Sequence, residues 1–254
     1  MNKFKSRGGK EMANAVKNLV TLLKAEEIEY SSLGIDAEVQ EIALAVNPLS
    51  KTMGGGICRM KECHFDWQLR YDEIIFVQSG SMYIGHNGKK IEAVQGDIFF
   101  MKEGAVITYG TDDEVEFFFS TYPVDWKESK KDVIYEETGE DLVTLIKGSQ
   151  IEYNPLGIEG EIQEIAPVIN KLSMNMGGGI CRMKECHFDW QIKYDEMIYV
   201  SKGSMYITHD GKKIEAKQGD IYFMKDGAEI TYGTDEEVEF YFTLYPVNWR
   251  ELKN

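Results

Sequence analysis

The sequence has few cations, few histidines and no long apolar run. Among its 254 residues, 28 Lys and Arg stand against 43 Asp and Glu, which gives a formal net charge of −15. An acidic surface repels nucleic acid and anionic membranes, so we expect neither as a partner. No segment approaches the roughly 18 apolar residues of a membrane span. The N-terminus is basic but carries no secretory signal pattern, so we expect a cytoplasmic protein.

Cysteine is also scarce, with four residues in the chain. In a reducing compartment these should be free thiols. Cys58 and Cys63 have opposite strand parity and would lie roughly 16 Å apart along one strand, beyond disulfide reach. His64 and Cys63 are adjacent, so at most one of them can face an interior. We interpret them as half-buried strand residues.

An internal repeat dominates the sequence. When the chain is shifted by 123 residues, 19–126 aligns with 142–249 and 76 of the 108 aligned pairs are identical. A period of this length is a whole domain copied once, because the units of solenoid proteins are only about 20–50 residues long.

Each copy has the pattern of a β-protein. Hydrophobic residues alternate with polar ones, and glycine or charged turns interrupt the pattern roughly every eight to twelve residues, which predicts an all-β sandwich or barrel. Helical periodicity is confined to 11–24, which predicts a short N-terminal helix that caps a barrel or exchanges onto it. We therefore divide the chain into a basic helical segment (1–18), a first domain (19–130) and a second domain (131–254).

Three aromatic positions differ between the copies by a hydroxyl: Phe76 and Tyr199, Phe99 and Tyr222, and Phe118 and Tyr241. An unpaired buried hydroxyl costs about 1–3 kcal/mol, so we expect these positions where the hydroxyl meets water or a partner. Phe76 also has the strand parity opposite to that of Glu73. A band of outward aromatics predicts a surface covered by the other domain or by a second subunit, and favours a homodimer. Scattered half-exposed rings are the alternative.

Two short motifs carry a family resemblance. Glu73, Gly80, Gly96-Asp97 and Gly104 are spaced as in the two conserved motifs of the cupin superfamily, and each recurs in the second copy. The resemblance implies a double-stranded β-helix, or jelly-roll barrel, whose mouth is the site. Two copies imply an all-β bicupin made of two tandem barrels.

Longer strings resemble the cupin domain of the EutQ family of ethanolamine-utilisation proteins. They are CHFDWQLRYDEIIFVQSG, IEAVQGDIFFMKEGAVITYGT and YPVDW. This resemblance implies a role in ethanolamine catabolism beside a bacterial microcompartment, whose proteins become candidate partners. It also implies an acetate kinase activity that moves phosphate between acetyl phosphate and ADP. Only that activity would require ATP or ADP with Mg²⁺.

The histidines of metal-dependent cupins are missing. Their positions, two before the glutamate and one after the second glycine motif, are filled by other side chains: Asp66 and Gln68, or Trp67 and Leu69, and then Ile107. A transition metal needs three or four convergent imidazole or carboxylate ligands, so we predict no tightly bound metal. A site built from Glu73, Asp66 and Gln68 is the alternative.

Glu73 and its counterpart Glu196 are the best candidates for a catalytic group or ligand anchor. A carboxylate inside a barrel must be hydrogen-bonded or take up a proton, and either state makes it useful. The expected ligand-binding neighbours are aromatic: Trp67, Tyr71, Tyr109, Trp190, Tyr194 and Tyr232. The alternatives are an internal Glu–Tyr network that holds the barrel closed and tryptophans that belong to the core.

Two functions remain open at this point, one enzymatic and one not. Phosphoryl transfer needs cations that neutralise spreading negative charge, and neither copy places Lys or Arg at an obviously inward position. The first function is a EutQ-like bicupin with the implied kinase activity. The second is a non-catalytic, metal-free bicupin that binds a small metabolite or scaffolds a microcompartment-associated pathway.

Overall fold

Two antiparallel β-sheets account for most of the structure, a computed structural model that describes residues 18–136 and 138–252. The strands of the first copy are β1 Val20–Leu23, β2 Ser31–Ser32, β3 Val39–Ala43, β4 Gly54–Gln68, β5 Asp72–His86, β6 Lys89–Val94, β7 Ile98–Met101 and β8 Val106–Tyr122. Those of the second copy are β9 Val143–Ile146, β10 Asn154–Pro155, β11 Ile162–Ala166, β12 Gly177–Lys184, β13 Cys186–Gln191, β14 Asp195–His209, β15 Lys212–Lys217, β16 Ile221–Met224, β17 Glu229–Thr234 and β18 Val238–Tyr245.

Helical structure in these ranges is short. The α-helices are α1 Trp126–Ser129 and α2 Trp249–Leu252, and 3₁₀ turns cover Ala25–Glu27 and Gly148–Gln150. None of the helices in 18–136 or 138–252 is long and apolar enough to cross a membrane. The two tandem all-β barrels predicted from the repeat are confirmed.

The two copies exchange their first strands. β1 pairs antiparallel with β16 of the second copy, and β9 pairs antiparallel with β7 of the first. The first sheet therefore runs in the order β2-β3-β4-β8-β5-β7-β9, and the second begins β1-β16-β14-β18. The domain boundaries stay a prediction, because β1 and β9 belong to one copy by sequence and to the other by hydrogen bonding.

The predicted N-terminal helix is wrong where it can be compared with the structure. Residues 1–17 lie outside the described part of the chain, and Val20–Leu23, within the predicted helix, is strand β1. The helical spacing of apolar residues is a weak local preference here. Backbone pairing with β16 and burial of Val20 in the second barrel outweigh it.

Most of the variable aromatics lie between the barrels. Phe76, Phe118, Tyr199 and Tyr241 belong to a buried cluster contributed by both copies. The rings of Phe76 and Tyr241 stack with centroids 4.8 Å apart, and those of Phe118 and Tyr199 stack at 5.3 Å. The prediction that the other domain covers these positions is confirmed.

The remaining pair of variable aromatics departs from that prediction. Phe99 and Tyr222 lie inside their own barrels, because β7 and β16 turn these side chains toward the barrel axis. The hydroxyl of Tyr222 still has a partner, since it donates to the carbonyl oxygen of Ile214 at 2.6 Å. The expected partner is therefore present, although the expected outward direction is wrong.

Paired polar contacts close the surface between the barrels. Thr52 donates to Asp195 at 2.6 Å, and Asn175, its counterpart 123 residues later, donates to Asp72 at 2.8 Å. On the pseudo-twofold axis the rings of Tyr122 and Tyr245 stack at 4.3 Å and their hydroxyls are 3.0 Å apart. Reciprocal bonds of this kind fix one orientation of the two barrels.

Removal of the Phe118 ring should destabilise the whole chain. The side chain is fully buried between the barrels, so Phe118→Ala leaves a cavity and we expect a loss of about 3–5 kcal/mol in the free energy of unfolding. Urea denaturation followed by circular dichroism measures this. Leu252→Ala, at a residue that is 62% exposed, is the control and should change stability by less than about 0.5 kcal/mol. Equal effects of the two substitutions would show that the inter-barrel cluster contributes little.

Candidate functional site

The first barrel contains a cavity of about 410 Å³ that opens at its mouth. Its walls are largely apolar, and they include the aromatic side chains of Phe65, Trp67, Tyr71, Tyr109, Phe117, Phe119 and Trp126. Polar groups are fewer, and include the carboxyl of Glu73 and the hydroxyl of Thr121. The predicted site residues of the first copy are thus brought together around one space.

Strand alternation explains why these side chains converge. Glu73 has the same parity on β5 as Ile75 and Val77, which point into the core of the barrel. Across the barrel wall, Tyr109 lies on β8 opposite Phe65 of β4. Since successive side chains on a strand point to opposite faces, a period of two places these residues on the inner face.

Glu73 lies deep in the cavity. Its side chain is buried, and the hydroxyl of Tyr109 donates a short hydrogen bond to its Oε2 atom. Burial raises the pKa of Glu73 to about 8, and the hydrogen bond from Tyr109 opposes this rise. In a low-dielectric surrounding the charged carboxylate is disfavoured. The carboxyl of Glu73 is therefore mostly protonated at neutral pH.

Three aromatic side chains form the mouth. The indole Nε1 of Trp67 donates to the hydroxyl of Tyr71 at 3.0 Å. Trp126 packs against both, edge-on to Trp67 with centroids 6.1 Å apart and tilted toward Tyr71 at 4.9 Å. Trp67 is 38% exposed, so it belongs to the rim of the cavity, and the alternative that it is a core residue is wrong.

Sequence reasoning missed several members of this site, among them Trp126 and Phe65. Trp126 begins helix α1, outside the cupin motifs, and Phe65 stacks on Tyr109 with centroids 5.2 Å apart. Signals for both were present: Trp126 ends the YPVDW string, and Phe65 has the same strand parity as Trp67. Only the folded barrel shows that α1 lies across the mouth.

The second barrel repeats the polar contacts. Tyr232 donates to Glu196 at 2.5 Å, and Trp190 donates to Tyr194 at 3.0 Å. Burial raises the pKa of Glu196 to about 7, again opposed by the tyrosine hydrogen bond. The predicted pairing of each glutamate with a tyrosine is therefore present in both copies.

The two barrels differ at the mouth. Thr121 of the first barrel corresponds to Leu244, which packs in the core of the second. Trp126 is half-buried, whereas its counterpart Trp249 is only 8% exposed. The second barrel thus carries more apolar bulk where the first has its cavity.

The side chains at the expected metal positions do not fit a metal centre. Asp66 is exposed and accepts a hydrogen bond from Thr108 at 2.6 Å, while the amide of Gln68 donates to the carbonyl of Tyr135 at 2.6 Å. Leu69 and Ile107 are buried in the apolar core. Across 18–136 and 138–252, no group of three or more His, Cys, Asp and Glu side chains could hold an ion. The alternative site of Glu73, Asp66 and Gln68 is therefore not assembled.

Fold and site together define a bicupin, and solved structures agree with this class. The chain superposes on the putative glyoxylate induced protein of Pseudomonas aeruginosa with a TM-score of 0.70 and 11% identity, covering 95% of this chain and 93% of that one. For the protein Ylba of Escherichia coli the TM-score is 0.66 at 14% identity, with 90% and 91% covered. For the oxalate decarboxylase of Lactobacillus farciminis it is 0.66 at 12% identity, with 89% and 86% covered. At these identities the likeness shows the fold alone.

The chain belongs to the EutQ family. The family model described as ethanolamine utilisation protein EutQ matches residues 9–128 and 165–251. The chain is 28% identical over 117 residues to the acetate kinase EutQ of Escherichia coli K12, covering 45% of this chain and 50% of that protein. It is 40% identical over 77 residues to the acetate kinase EutQ of Clostridioides difficile 630, covering 30% and 49%. It thus spans about half the length of the curated relatives it matches.

The two buried glutamates should make stability depend on pH. Their folded pKa values, about 8 for Glu73 and about 7 for Glu196, lie above the ordinary value of 4.5. Between these limits the folded state binds more protons than the unfolded state, so stability falls as the pH rises from about 5 to 8. Each group contributes at most about 1.4 kcal/mol per pH unit.

The variant Glu73→Gln/Glu196→Gln removes both titrating groups, so its stability should fall less steeply over this range. Urea unfolding at pH 5, 6, 7 and 8 gives the two slopes. The substitution Glu136→Gln, at an exposed position, should leave the wild-type slope unchanged. Parallel curves for the double variant and the wild type would mean that both carboxyls are ionised in the folded protein.

Proposed function

We propose that the first barrel of this EutQ-family bicupin is a metal-independent binding site for a small organic molecule, anchored on Glu73. The observation that carries the proposal is the cavity of about 410 Å³ that reaches this buried carboxyl. Ligand pockets commonly measure about 300–1,000 Å³ and combine apolar walls with a few placed polar groups. The cavity of the first barrel has this composition.

The accessibility of the carboxyl argues for a ligand anchor rather than a closed internal network. Glu73 lines the cavity, and its carboxyl receives a hydrogen bond from Tyr109 on one oxygen, Oε2. A carboxyl can take part in further hydrogen bonds, as acceptor or, when protonated, as donor. A ligand group that reaches the end of the cavity can use this remaining capacity.

The cellular setting of the proposal comes from the family. Membership of the EutQ family supports a role in ethanolamine utilisation, and we extend it to a cytoplasmic protein that works with microcompartment proteins. A homodimer stays a prediction. The aromatic band that motivated it is covered within one chain by the contact between the barrels.

Binding should depend on the first barrel only. The test is a panel of two- to six-carbon amines, carboxylic acids and alcohols, measured by calorimetry and thermal shift. We expect it to contain a ligand whose affinity falls about 10- to 100-fold in Glu73→Gln, since a buried hydrogen-bonding group that loses its partner costs about 1–3 kcal/mol. Thr121→Leu should weaken it by filling the cavity. Dialysis of the protein against EDTA before the measurement should leave the affinity unchanged, because the proposed site uses no metal.

Matched variants of the second barrel are the controls. Glu196→Gln should leave the affinity unchanged, and Leu244→Thr should enlarge the space in the second barrel. If Glu196→Gln abolished binding and Glu73→Gln did not, the site would lie in the second barrel and the proposal would be wrong. If no compound of the panel bound, the binding proposal would be wrong and a scaffolding role would be favoured.

Acetate kinase activity is the second candidate, favoured by the name that the curated relatives carry. The site offers it little, because Lys127 is the one cation among the described residues that line the cavity. Phosphoryl transfer relies on cations to neutralise developing charge.

We therefore expect the purified chain to form ATP from acetyl phosphate and ADP with Mg²⁺ no faster than the variant Glu73→Gln/Glu196→Gln. A coupled luciferase assay measures both rates, with Lys127→Ala as a further comparison. A rate at least tenfold above that of the double variant, and dependent on Lys127, would establish the kinase in place of the binding function.

A further inference from the structure

Resting on the proposed binding function, we infer that the ligand of the first barrel is a small organic cation, a short-chain ammonium compound whose charged head lies among Trp67, Tyr71 and Trp126 and faces Glu73. Four observations support this assignment: the arrangement of the rings, the charges around the cavity, the contrast with the second barrel, and the surroundings of the carboxyl.

The three rings stand at steep angles to one another. Trp67 and Trp126 are nearly perpendicular, with an interplanar angle of 87°, and Tyr71 and Trp126 meet at 49°. All three rings line the cavity, so their non-parallel faces bound it on more than one side. The negative faces of such rings attract a cation, and aromatic cages hold quaternary ammonium groups and methylated lysines.

The charges around the cavity favour a cation over an anion. Glu73 lies at the inner end, and the one cation of the described lining, Lys127, lies at the rim with its Nζ atom 5.5 Å from the centroid of the Trp126 ring. An anionic ligand would meet a buried carboxyl without a guanidinium or imidazole to compensate. An ammonium ligand would meet a carboxyl that can pair with it.

In the second barrel a cation of the chain lies over the equivalent tryptophan. The guanidinium of Arg250, the counterpart of Lys127, lies 4.4 Å from the centroid of Trp249. Its charge also reaches Tyr194, since it opposes the rise that burial causes in the pKa of that phenol. An exposed cation of the chain thus lies over the equivalent tryptophan in each barrel, but in the first barrel the lysine lies farther from the ring and the rings line an open cavity.

The surroundings of Glu73 make the affinity for a cation depend on pH. The titratable groups that face it are Tyr109 from β8, Tyr71 from the turn before β5 and Cys58 from β4, and none of them is a cation. Burial raises the pKa of Glu73 to about 8. An ammonium group binds the ionised carboxylate best, so binding below pH 8 must release a proton and the affinity must rise with pH.

The test compares choline and ethanolamine with dimethylbutanol, the neutral carbon isostere of choline, and with acetate. Calorimetry at pH 6, 7 and 8 on the full chain gives the affinities. We expect choline or ethanolamine to bind at least tenfold more tightly than the isostere. The affinity for choline should rise more than tenfold from pH 6 to pH 8, because the ionised fraction of a carboxyl with a pKa of about 8 rises by about that much or more. Choline keeps its charge at every pH, so the rise reports on Glu73.

Substitutions of the two equivalent tryptophans test where the bound cation lies. Trp126→Leu should weaken choline binding at least tenfold, Trp126→Phe should retain most of it, and Trp249→Leu in the second barrel should have no effect. The thermal midpoint of each variant shows that it is folded, and retention in Trp126→Phe separates the aromatic face from mere packing.

The outcomes separate this inference from the proposed function. In one outcome, choline and its neutral isostere bind equally, or acetate binds more tightly, while Glu73→Gln still abolishes binding. Either result would overturn the inference that the ligand is a cation and would leave the proposed binding function intact. Binding of no member of this set or of the wider panel would overturn both.

Discussion

The reciprocal exchange of first strands is the constraint on which the rest of the structure depends. β1 completes the sheet of the second copy beside β16, and β9 completes the sheet of the first beside β7. If β1 paired with β7 of its own copy, it would displace β9 and leave the edge of β16 unpaired. The two exchanges therefore depend on each other. The aromatic cluster between the barrels and the reciprocal Thr52–Asp195 and Asn175–Asp72 bonds follow from the closeness that this exchange imposes.

The contact between the barrels has a direct consequence for the cavity. The outer faces of β5 and β8 are covered by the second barrel, so the strands that carry Glu73 and Tyr109 are supported from behind. A site on well-packed strands keeps its geometry better than one on loops. The buried carboxyl can therefore be held in apolar surroundings that oppose its ionisation, because the strands around it are packed on both faces.

The sequence predicted the barrels, the position of Glu73 and its tyrosine partner, because strand periodicity and motif spacing are local properties. It failed at β1, where pairing with a strand about 200 residues away decides the conformation. It also placed Phe99 and Tyr222 on the outer face, since a hydroxyl can be satisfied by the carbonyl of Ile214 as well as by a neighbouring barrel. Trp126 was missed as a wall of the site, because its position depends on how α1 folds back over the mouth.

The replacement of Thr121 by Leu244 shows what covalent linkage of the two barrels permits. In a symmetric dimer of single cupins, every substitution appears in both mouths at once. When both copies lie on one polypeptide, one mouth can fill with hydrocarbon while the other keeps a hydroxyl and an open space. Gene fusion thus allows specialisation within a pseudo-symmetric pair, with one half free to become a structural support for its twin.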